Sequence, residues 1–337
     1  MDAEQTTPPT APSLGRVTIK NFKSIKEVSF DTRRINLFVG RPNTGKSNIL
    51  EAVSLLSSRG SIAGPIRFNK IRDLFFRLND RLEIEVGTPK TKVTIQAIEN
   101  SFYLSREDFR YPRRNSKNET LRTELLPDGT YKEPFKPVLL DSRVNGVVSD
   151  RVWLERFFEP SAASLIVRAL RSDKDLYSTL ESFVDEYELK IAFYGDELVL
   201  SQGSIDGQLV LIPFQMISDT IKRMFFYFSL ISMGSSHGFI PDYVLVLEEP
   251  EVHSYPPYVK TLAQKISSSK SNQFFIATHS PYLLETLYEN AEDDELQVFV
   301  VDYQNHQTVV HPVDNEALGE LIANRADVFF NLHNLVS

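Results

Sequence analysis

The stretch LFVGRPNTGKSNILEAV, residues 37–53, restricts the fold of this chain more than any other. A short apolar run leads into a loop with two glycines, and apolar residues at helical spacing follow. The loop matches Gly-x-x-x-x-Gly-Lys-Ser at Gly40, Gly45, Lys46 and Ser47. Glycines let the backbone turn its N–H groups toward phosphate oxygens, and the helix N-terminus adds positive partial charge. The stretch therefore predicts a loop that holds the phosphates of a nucleotide.

Two side chains of this loop have predicted tasks. Lys46 reaches the β- and γ-phosphates, and the Ser47 hydroxyl is a ligand for Mg²⁺. A chance Gly-Lys-Ser turn is the alternative, but the strand before the loop and the helix after it argue against chance. We expect ATP to be held by the whole loop, namely Gly40, Arg41, Pro42, Asn43, Thr44, Gly45, Lys46, Ser47 and Asn48.

Two acidic residues end a second apolar run, VLVLEEPE. Glu248 and Glu249 come where a strand of a parallel sheet ends, and ligands bind at that edge. A carboxylate at Glu248 can bind Mg²⁺, directly or through water, and Glu249 can position the attacking water. The alternative is an acidic strand end that caps the next helix. The presence of a phosphate-binding loop favours the catalytic interpretation.

A histidine ends the third apolar run, FFIATHSP. His279 directly follows the predicted strand, so it also lies at the edge of the sheet. There it can hydrogen-bond to the γ-phosphate or to the attacking water. Taken alone, a histidine in this position is more often structural.

Composition excludes several classes of protein. The chain has 337 residues, of which 42% are hydrophobic and 24% charged, as in ordinary globular domains. The net charge of -8 argues against general coating of nucleic acid. The absence of cysteine excludes disulfides and zinc–thiolate sites. With no run of transmembrane length and no secretory signal, we expect a cytoplasmic protein with no membrane partner.

Apolar periodicity predicts alternating strands and helices. A strand or hairpin is predicted over 16–30, a hairpin over 82–98, and another hairpin over 190–203. Buried strands are predicted at INLFV, VLVLE and FFIAT. Helices are predicted from Ser47, across 149–189 in two pieces, over 217–234, and over 258–268.

Five segments are predicted from these patterns. They are a disordered Pro/Thr-rich lead (1–14), the first half of an ATPase domain (15–100), an inserted, partly helical subdomain (101–212), the second half of the ATPase domain (213–312), and a helical tail (313–337).

Four motifs in this order give the chain a family resemblance. IKNFKSI, GRPNTGKSNILEAV, LEEPEVHSYPP and IATHSPYLLETL resemble the ABC-type AAA ATPases of the RecF, OLD and SMC-like group. The similarity covers roughly residues 15–100 and 213–290, and the middle of the chain is not matched. The resemblance implies an α/β P-loop NTPase fold, in which a mixed sheet surrounds the loop and a helical subdomain is inserted.

The resemblance also implies roles for particular residues. Asn21, Phe22 and Lys23 would lie beside the sugar and α-phosphate. Glu248 would be the Walker B acid that holds Mg²⁺ with Ser47, Glu249 the catalytic base, and His279 the switch histidine. The D-loop would lie around 254–257. Ser218 would take the role of the signature serine, which contacts the γ-phosphate of a partner subunit.

The sequence departs from the family pattern in three places. Thr220 stands where the signature has a glycine, and Glu248 stands where Walker B generally has aspartate. The longer arm of Glu248 must retract or hold the metal through water. The glutamine of the Q-loop is not fixed, with Gln96 as a candidate.

These features predict an ATP-hydrolysing switch that forms a homodimer, or a higher even-numbered oligomer, around ATP. The sequence has no heptads that would form a long arm and no second acidic cluster that would form a nuclease site. We therefore expect a separate effector protein. The family resemblance favours a setting in prokaryotic anti-phage defence. A RecF-like DNA-binding repair ATPase is one alternative, because basic and aromatic residues alternate in REDFRYPRRNSKNETLR. That stretch can also be a solvated or protein-docking loop. A scaffold that binds ATP with little hydrolysis is the other alternative.

Overall fold

The structure is a computed structural model that describes residues 14–56, 61–108, 120–133, 144–151, 163–195, 197–205, 208–232, 242–324 and 327–336. The predicted lead therefore lies outside the described residues, apart from Leu14. The strands are β1 (Arg16–Phe22), β2 (Ile25–Asp31), β3 (Ile35–Val39), β4 (Ile84–Gly87), β5 (Thr91–Ile98), β6 (Ser101–Asp108), β7 (Thr120–Leu125), β8 (Val144–Ser149), β9 (Lys190–Tyr194), β10 (Glu197–Ile205), β11 (Gln208–Pro213), β12 (Asp242–Glu248), β13 (Gln273–Ala277), β14 (Leu296–Gln304) and β15 (Gln307–Pro312). The α-helices are α1 (Lys46–Leu55), α2 (Ala163–Ser172), α3 (Lys174–Asp185), α4 (Asp219–Ser232), α5 (Pro256–Ser268), α6 (Pro281–Asn290) and α7 (Asn315–Ala323).

A six-stranded sheet with the order β15-β14-β3-β13-β12-β8 lies at the centre. Its neighbouring strands are parallel, except that β15 returns antiparallel to β14. The apolar run INLFV is β3, and all five of its residues are buried because both faces of the sheet are covered. The carboxyl ends of β3, β8, β12 and β13 meet at one edge, which places the sequence motifs there.

Helix α1 lies between this sheet and a second, antiparallel one with the order β2-β1-β4-β5-β6-β7. The apolar residues of α1 pack against both sheets in one core. Aromatic rings join the layers at its centre, where Phe38 stacks on Phe299 with centroids 5.1 Å apart and Phe30 meets Phe299 at 5.0 Å. This packing fixes the direction in which α1 leaves the glycine-rich loop.

Helices cover the other face of the central sheet, where α2 to α7 and the antiparallel sheet β11-β10-β9 form a second core. Helix α4 supplies its largest buried side chains, including Phe225, Tyr227 and Phe228. No helix in the described part of the chain has both the length and the apolar character needed to cross a membrane.

The inserted segment differs from its prediction. β6 and β7 extend the antiparallel sheet across the boundary predicted at residue 100, and β8 is an edge strand of the central sheet. Leu104 and Arg106 point into buried positions from β6, so the alternation continues in a stretch whose polar composition suggests a loop. α2, α3 and the sheet β9–β11 form the inserted helical part.

Arg34, just before β3, joins the end of α5 to the start of β14. Its guanidinium donates to the carbonyls of Ile266, Ser267 and Ser269 at the end of α5, at 3.1, 2.9 and 2.6 Å. It also pairs with both carboxylate oxygens of Glu295, at 2.9 and 2.8 Å, just before β14. Burial, which raises the pKa of Glu295, is outweighed by hydrogen bonds from Arg34 and Lys270, so the pKa is lowered to about 2.

We predict that Glu295→Gln lowers the free energy of unfolding at neutral pH by about 2 kcal/mol, because it leaves the Arg34 charge without its partner. Since the pKa is lower in the folded than in the unfolded chain, this stabilisation is complete above pH ~4.5 and is lost as the pH falls toward 2. Urea denaturation between pH 7 and pH 3.5 measures the difference. Glu292→Gln, which removes an exposed partner of Lys270, is the control and should have little effect.

Candidate nucleotide site

The loop between β3 and α1 has a backbone that requires its glycines. Gly40 and Gly45 have φ of +153° and +105°. A Cβ on Gly40 would lie 2.2 Å from the Val301 carbonyl oxygen, and one on Gly45 would lie 2.1 Å from Thr308 Oγ1. The two positions are therefore closed to side chains by conformation and by the strands behind the loop.

Lys46 lies buried under the loop at the first position of α1. Its Nζ donates to the carbonyls of Gly40 and Arg41, each at 2.9 Å, so the loop curls around the ammonium group. Burial lowers the pKa of Lys46 to about 8, although the carboxylates of Glu249 and Glu248 oppose the change. A desolvated cation in this position gains free energy when an anion reaches it.

A chain of hydroxyl groups fixes the loop from behind. The Asn48 amide donates to Ser24 Oγ at 2.7 Å, Ser24 Oγ lies 2.6 Å from Thr308 Oγ1, and Thr308 Oγ1 donates to the Thr44 carbonyl at 2.8 Å. Thr44 Oγ1 donates in turn to the Arg41 carbonyl at 2.9 Å. The side chains of Thr44 and Asn48 thus hold the loop in shape.

A cleft of about 810 Å³ opens at this edge of the sheet. It brings together most of the loop predicted from the sequence and the residues predicted at the ends of β12 and β13. The predicted residues on its wall are Pro42, Asn43, Gly45, Lys46, Ser47, Asn48, Glu248, Glu249 and His279. Gly40 and Arg41 line a smaller cavity behind the loop instead.

The acidic pair and the histidine face each other across the cleft. Glu249 has a strained φ of +46°, and its N–H donates to the Ala277 carbonyl of β13 at 2.8 Å. Its Oε1 lies 3.7 Å from His279 Nε2. Burial and the Lys46 charge lower the pKa of His279 against the attraction of Glu249, so the imidazole is neutral at pH 7.

Glu251 positions His279, and sequence reasoning did not identify it. Its Oε1 accepts hydrogen bonds from Thr278 Oγ1 at 2.7 Å and from the His279 N–H at 2.8 Å. Burial raises the pKa of Glu251 despite these hydrogen bonds. The third acid of LEEPE thus supports the backbone that carries the histidine.

Two arginines on the cleft wall were also missed. Arg67 and Arg151 both pair with Glu248 and with Glu51, a buried residue of α1. A glutamate on the apolar face of α1 was the one signal in the sequence for such a cluster. Its partners are distant in the chain, so their proximity could not be read from spacing.

The three residues assigned near the sugar and α-phosphate have different environments. The Asn21 amide donates to the Glu83 carbonyl at 2.8 Å. Phe22 is fully buried in the core, so the expectation is corrected for its side chain, and only its backbone can reach a ligand. Lys23 Nζ donates to Glu51 and to the Arg67 carbonyl, and it lines an adjoining cavity of about 950 Å³. This cavity and the cleft share Ser24 and Arg67.

Ser218 is exposed at the start of α4 and does not line the cleft of its own chain. Its carbonyl accepts the Lys222 N–H at 3.1 Å and its Oγ accepts the Ile221 N–H at 3.4 Å, so Ser218 caps the N-terminus of α4. Thr220 Oγ1 donates to the His253 carbonyl at 2.6 Å, so the residue that departs from the family pattern joins α4 to the turn after the acidic pair.

The Q-loop candidate Gln96 lies in β5, opposite Tyr103 in the antiparallel sheet, and is not on the cleft wall. Asp150 and Arg151 occupy the end of β8, beside Glu248. Within the described ranges, no group of three or more His, Cys, Asp or Glu residues has the arrangement of a metal site.

The predicted basic stretch is described only at its ends. Arg106 is buried in β6, and the Arg122 guanidinium lies 4.5 Å from the centre of the Tyr103 ring. These two side chains are used within the sheet. The remaining members of the stretch, residues 109–119, lie outside the described part.

Comparison with known proteins agrees with this geometry. The family described as "AAA domain, putative AbiEii toxin, Type IV TA system" matches residues 35–285, about three quarters of the chain. The DNA replication and repair protein RecF of Bacteroides thetaiotaomicron is 36% identical over 80 residues, which are 23% of this chain and 22% of that protein. RecF of Bacteroides fragilis is 35% identical over the same shares. The matched part thus spans about a fifth of these curated relatives.

One solved structure supports the fold. The crystal structure of an SmcHead bound to the C-winged helix domain of ScpA has a TM-score of 0.56 and 16% identity, and the match covers 92% of this chain and 100% of that chain. The predicted α/β P-loop NTPase fold is confirmed. Because the family match covers most of the chain, the chain belongs to that family of AAA domains. The similarity to RecF and the fold shared with the SmcHead structure agree with the resemblance to the ABC-type AAA ATPases of the RecF, OLD and SMC-like group.

Proposed function

We propose that this chain is a cytoplasmic ATP-driven switch that binds ATP, dimerises around it, and hydrolyses it to control a separate effector. The observation that carries the proposal is the shared cleft. Lys46 and Ser47 of the loop, Glu248 and Glu249 of β12, and His279 after β13 line one cavity at the edge of a parallel sheet. Family membership supports the same activity.

In this proposal Lys46 exchanges its loop carbonyls for oxygens of the β- and γ-phosphates. Ser47 and Glu248 are the oxygen donors available for Mg²⁺, and hydroxyl and carboxylate groups suit that ion. When bound, Mg²⁺ would neutralise charge on the phosphates. Glu249 orients and accepts a proton from the attacking water, and neutral His279, held by Glu251, hydrogen-bonds to the γ-phosphate.

The homodimer, or a higher even-numbered oligomer, follows from the position of Ser218. An exposed serine at the N-terminus of α4 suits contact with a phosphate on a neighbouring subunit, because the helix dipole favours an anion there. A two-fold arrangement uses the same patch twice and buries two ATP molecules. Loss of the γ-phosphate then removes the contact between subunits.

The setting that we favour is prokaryotic anti-phage defence, with the effector on a separate protein. The family description, which refers to a toxin and a TA system, supports it. The SmcHead structure, in which the head is bound to the C-winged helix domain of ScpA, offers a parallel for docking a second protein. A RecF-like DNA-repair ATPase is the second candidate, because the RecF similarity favours it. Salt-dependent DNA binding by the purified chain would support that candidate.

We predict that Lys46→Ala weakens ATP binding more than about 100-fold, because the variant loses a desolvated ammonium group that faces the phosphates. Isothermal titration with Mg·ATP measures the affinity. Lys26→Ala, at an exposed position of β2, is the control and should bind as the wild type does. Unchanged affinity in Lys46→Ala would show that the nucleotide lies elsewhere.

Glu249→Gln should keep ATP bound and lower turnover about 100- to 10,000-fold, because the amide keeps the shape of the side chain and cannot accept the proton. Phosphate release and nucleotide affinity are measured on the same preparation. Glu248→Gln is the comparison, and it should weaken Mg²⁺-dependent binding. If Glu248→Gln binds ATP but does not hydrolyse it, while Glu249→Gln hydrolyses ATP normally, the roles of Glu248 and Glu249 are the reverse of those proposed.

A substitution at Ser218 tests whether two subunits share one ATP site. Ser218→Arg should leave ATP binding by the monomer intact and lower turnover at least about tenfold, since a bulky cation then stands where the γ-phosphate contact is made. Mixing it with Lys46→Ala should recover part of the activity, because each heterodimer then has one complete site.

Ser182→Arg, on the exposed face of α3, controls for an added surface arginine and should turn over normally. Mass measurement confirms that heterodimers form. Normal hydrolysis by Ser218→Arg would show that Ser218 does not belong to the ATP site. If the mixture forms heterodimers but stays inactive, the model in which each shared site works independently is contradicted.

A further inference from the structure

A ring of four charged side chains lies on the wall of the cleft. Arg151 donates from Nη1 to Glu51 Oε1 at 3.0 Å and from Nη2 to Glu248 Oε2 at 2.6 Å. Arg67 makes the matching pair, from Nε to Glu51 Oε1 at 2.7 Å and from Nη2 to Glu248 Oε1 at 3.4 Å. Each arginine therefore joins the buried acid of α1 to the acid at the end of β12.

The two acids differ in their freedom to move. The Glu51 side chain is 3% exposed and is also paired with Lys23, so it is fixed among three cations. The Glu248 side chain is 20% exposed, lies on the cleft wall and is the predicted metal ligand. Glu51 is thus the permanent anchor of the arginines, while Glu248 is the partner that can be exchanged.

Each carboxylate oxygen of Glu248 already forms an ion pair with an arginine, Oε1 with Arg67 and Oε2 with Arg151. A Mg²⁺ ion beside the same carboxylate would repel two guanidinium groups at close range. Metal and arginines therefore compete for Glu248. If the arginines lost Glu248, both guanidinium groups and Lys23 would share the single carboxylate of Glu51, so a further anion beside them would be favoured.

We propose that Arg151 is a phosphate-binding residue, which passes from Glu248 to the terminal phosphate of ATP when Mg²⁺ takes the carboxylate. Glu51 holds Nη1 throughout and leaves Nη2 directed into the cleft. The proposal rests on the proposed ATP-binding function. It assigns to this chain a contact with the terminal phosphate, through which Arg151 would distinguish ATP from ADP.

Position separates Arg151 from Arg67. The Arg151 side chain is 20% exposed and lines the cleft, beside Glu248 and Glu249, but not the adjoining cavity. The Arg67 side chain is 54% exposed, has the longer contact with Glu248, and lines both the cleft and the adjoining cavity with Lys23. We therefore expect Arg67 to face the part of the nucleotide that ATP and ADP share, and it provides a matched control.

The experiment compares binding of AMP-PNP, a non-hydrolysable ATP analogue, and ADP to the full chain by isothermal titration in excess Mg²⁺. Arg151→Gln should weaken AMP-PNP binding about 10- to 100-fold and ADP binding less than about threefold, as expected for one charged hydrogen bond to the terminal phosphate. Arg67→Gln should weaken both nucleotides by the same factor. Circular dichroism and the thermal midpoint establish that each variant is folded.

An unchanged ratio of the AMP-PNP and ADP affinities in Arg151→Gln overturns the inference. Tighter binding of both nucleotides also overturns it, because the arginine would then only block Glu248. If Arg151→Gln does not fold, Arg151→Lys replaces it. A lysine cannot hold Glu51 and a phosphate together, so the ratio of AMP-PNP affinity to ADP affinity should also fall several-fold in Arg151→Lys. A ratio equal to that of the wild type overturns the inference.

Failure of the proposed function gives a different result. If the wild-type chain binds neither nucleotide, or if Lys46→Ala binds AMP-PNP as well as the wild type does, the nucleotide site itself is wrong. If Lys46→Ala abolishes binding while Arg151→Gln keeps the wild-type ratio, only the role of Arg151 is wrong.

Discussion

The loop between β3 and α1 has no room for a side chain at Gly40 or Gly45, and this close packing determines the geometry of the cleft. The loop is held against β15 and the β1–β2 turn through Thr308 and Ser24. These two supports belong to different parts of the chain. The shape of the loop therefore depends on the pairing of β15 with β14 as well as on the motif itself.

Charge in the cleft is balanced by pairing rather than by solvent. Lys46 is buried under loop carbonyls, which lowers its pKa to about 8, and Glu248 is covered by Arg67 and Arg151. Lys46 binds the loop carbonyls less strongly than it would bind a phosphate, and Glu248 binds the arginines less strongly than it would bind a divalent cation. A nucleotide with its metal can thus replace several moderate contacts at once, and the protein can stay folded around the charges before it binds.

Local signals in the sequence predicted the centre of the fold well. β3, α1, β12 and β13 are continuous apolar or helical runs next to motifs, and tertiary packing only reinforces them. β8 and β6 were missed because polar, turn-rich composition surrounds them. Glu51 and Arg151 were missed for another reason, since they meet across a hundred residues of sequence and neither has a local pattern. The burial of Phe22 likewise depends on a second sheet that no motif encodes.

Helix α4 connects two parts of the proposed mechanism. Ser218 is exposed at its start, and two and a half turns later Tyr227 donates to Asp150 at 3.2 Å. Asp150 also accepts the Glu248 N–H at 2.9 Å, and burial raises the pKa of this carboxyl to about 7 despite both hydrogen bonds. A buried polar contact of this kind tolerates little displacement, because a broken hydrogen bond there leaves a desolvated group without a partner. Any shift of α4 caused by a partner subunit at Ser218 must therefore move the end of β12 or break this link, and either change reaches the carboxylate that Arg151 holds.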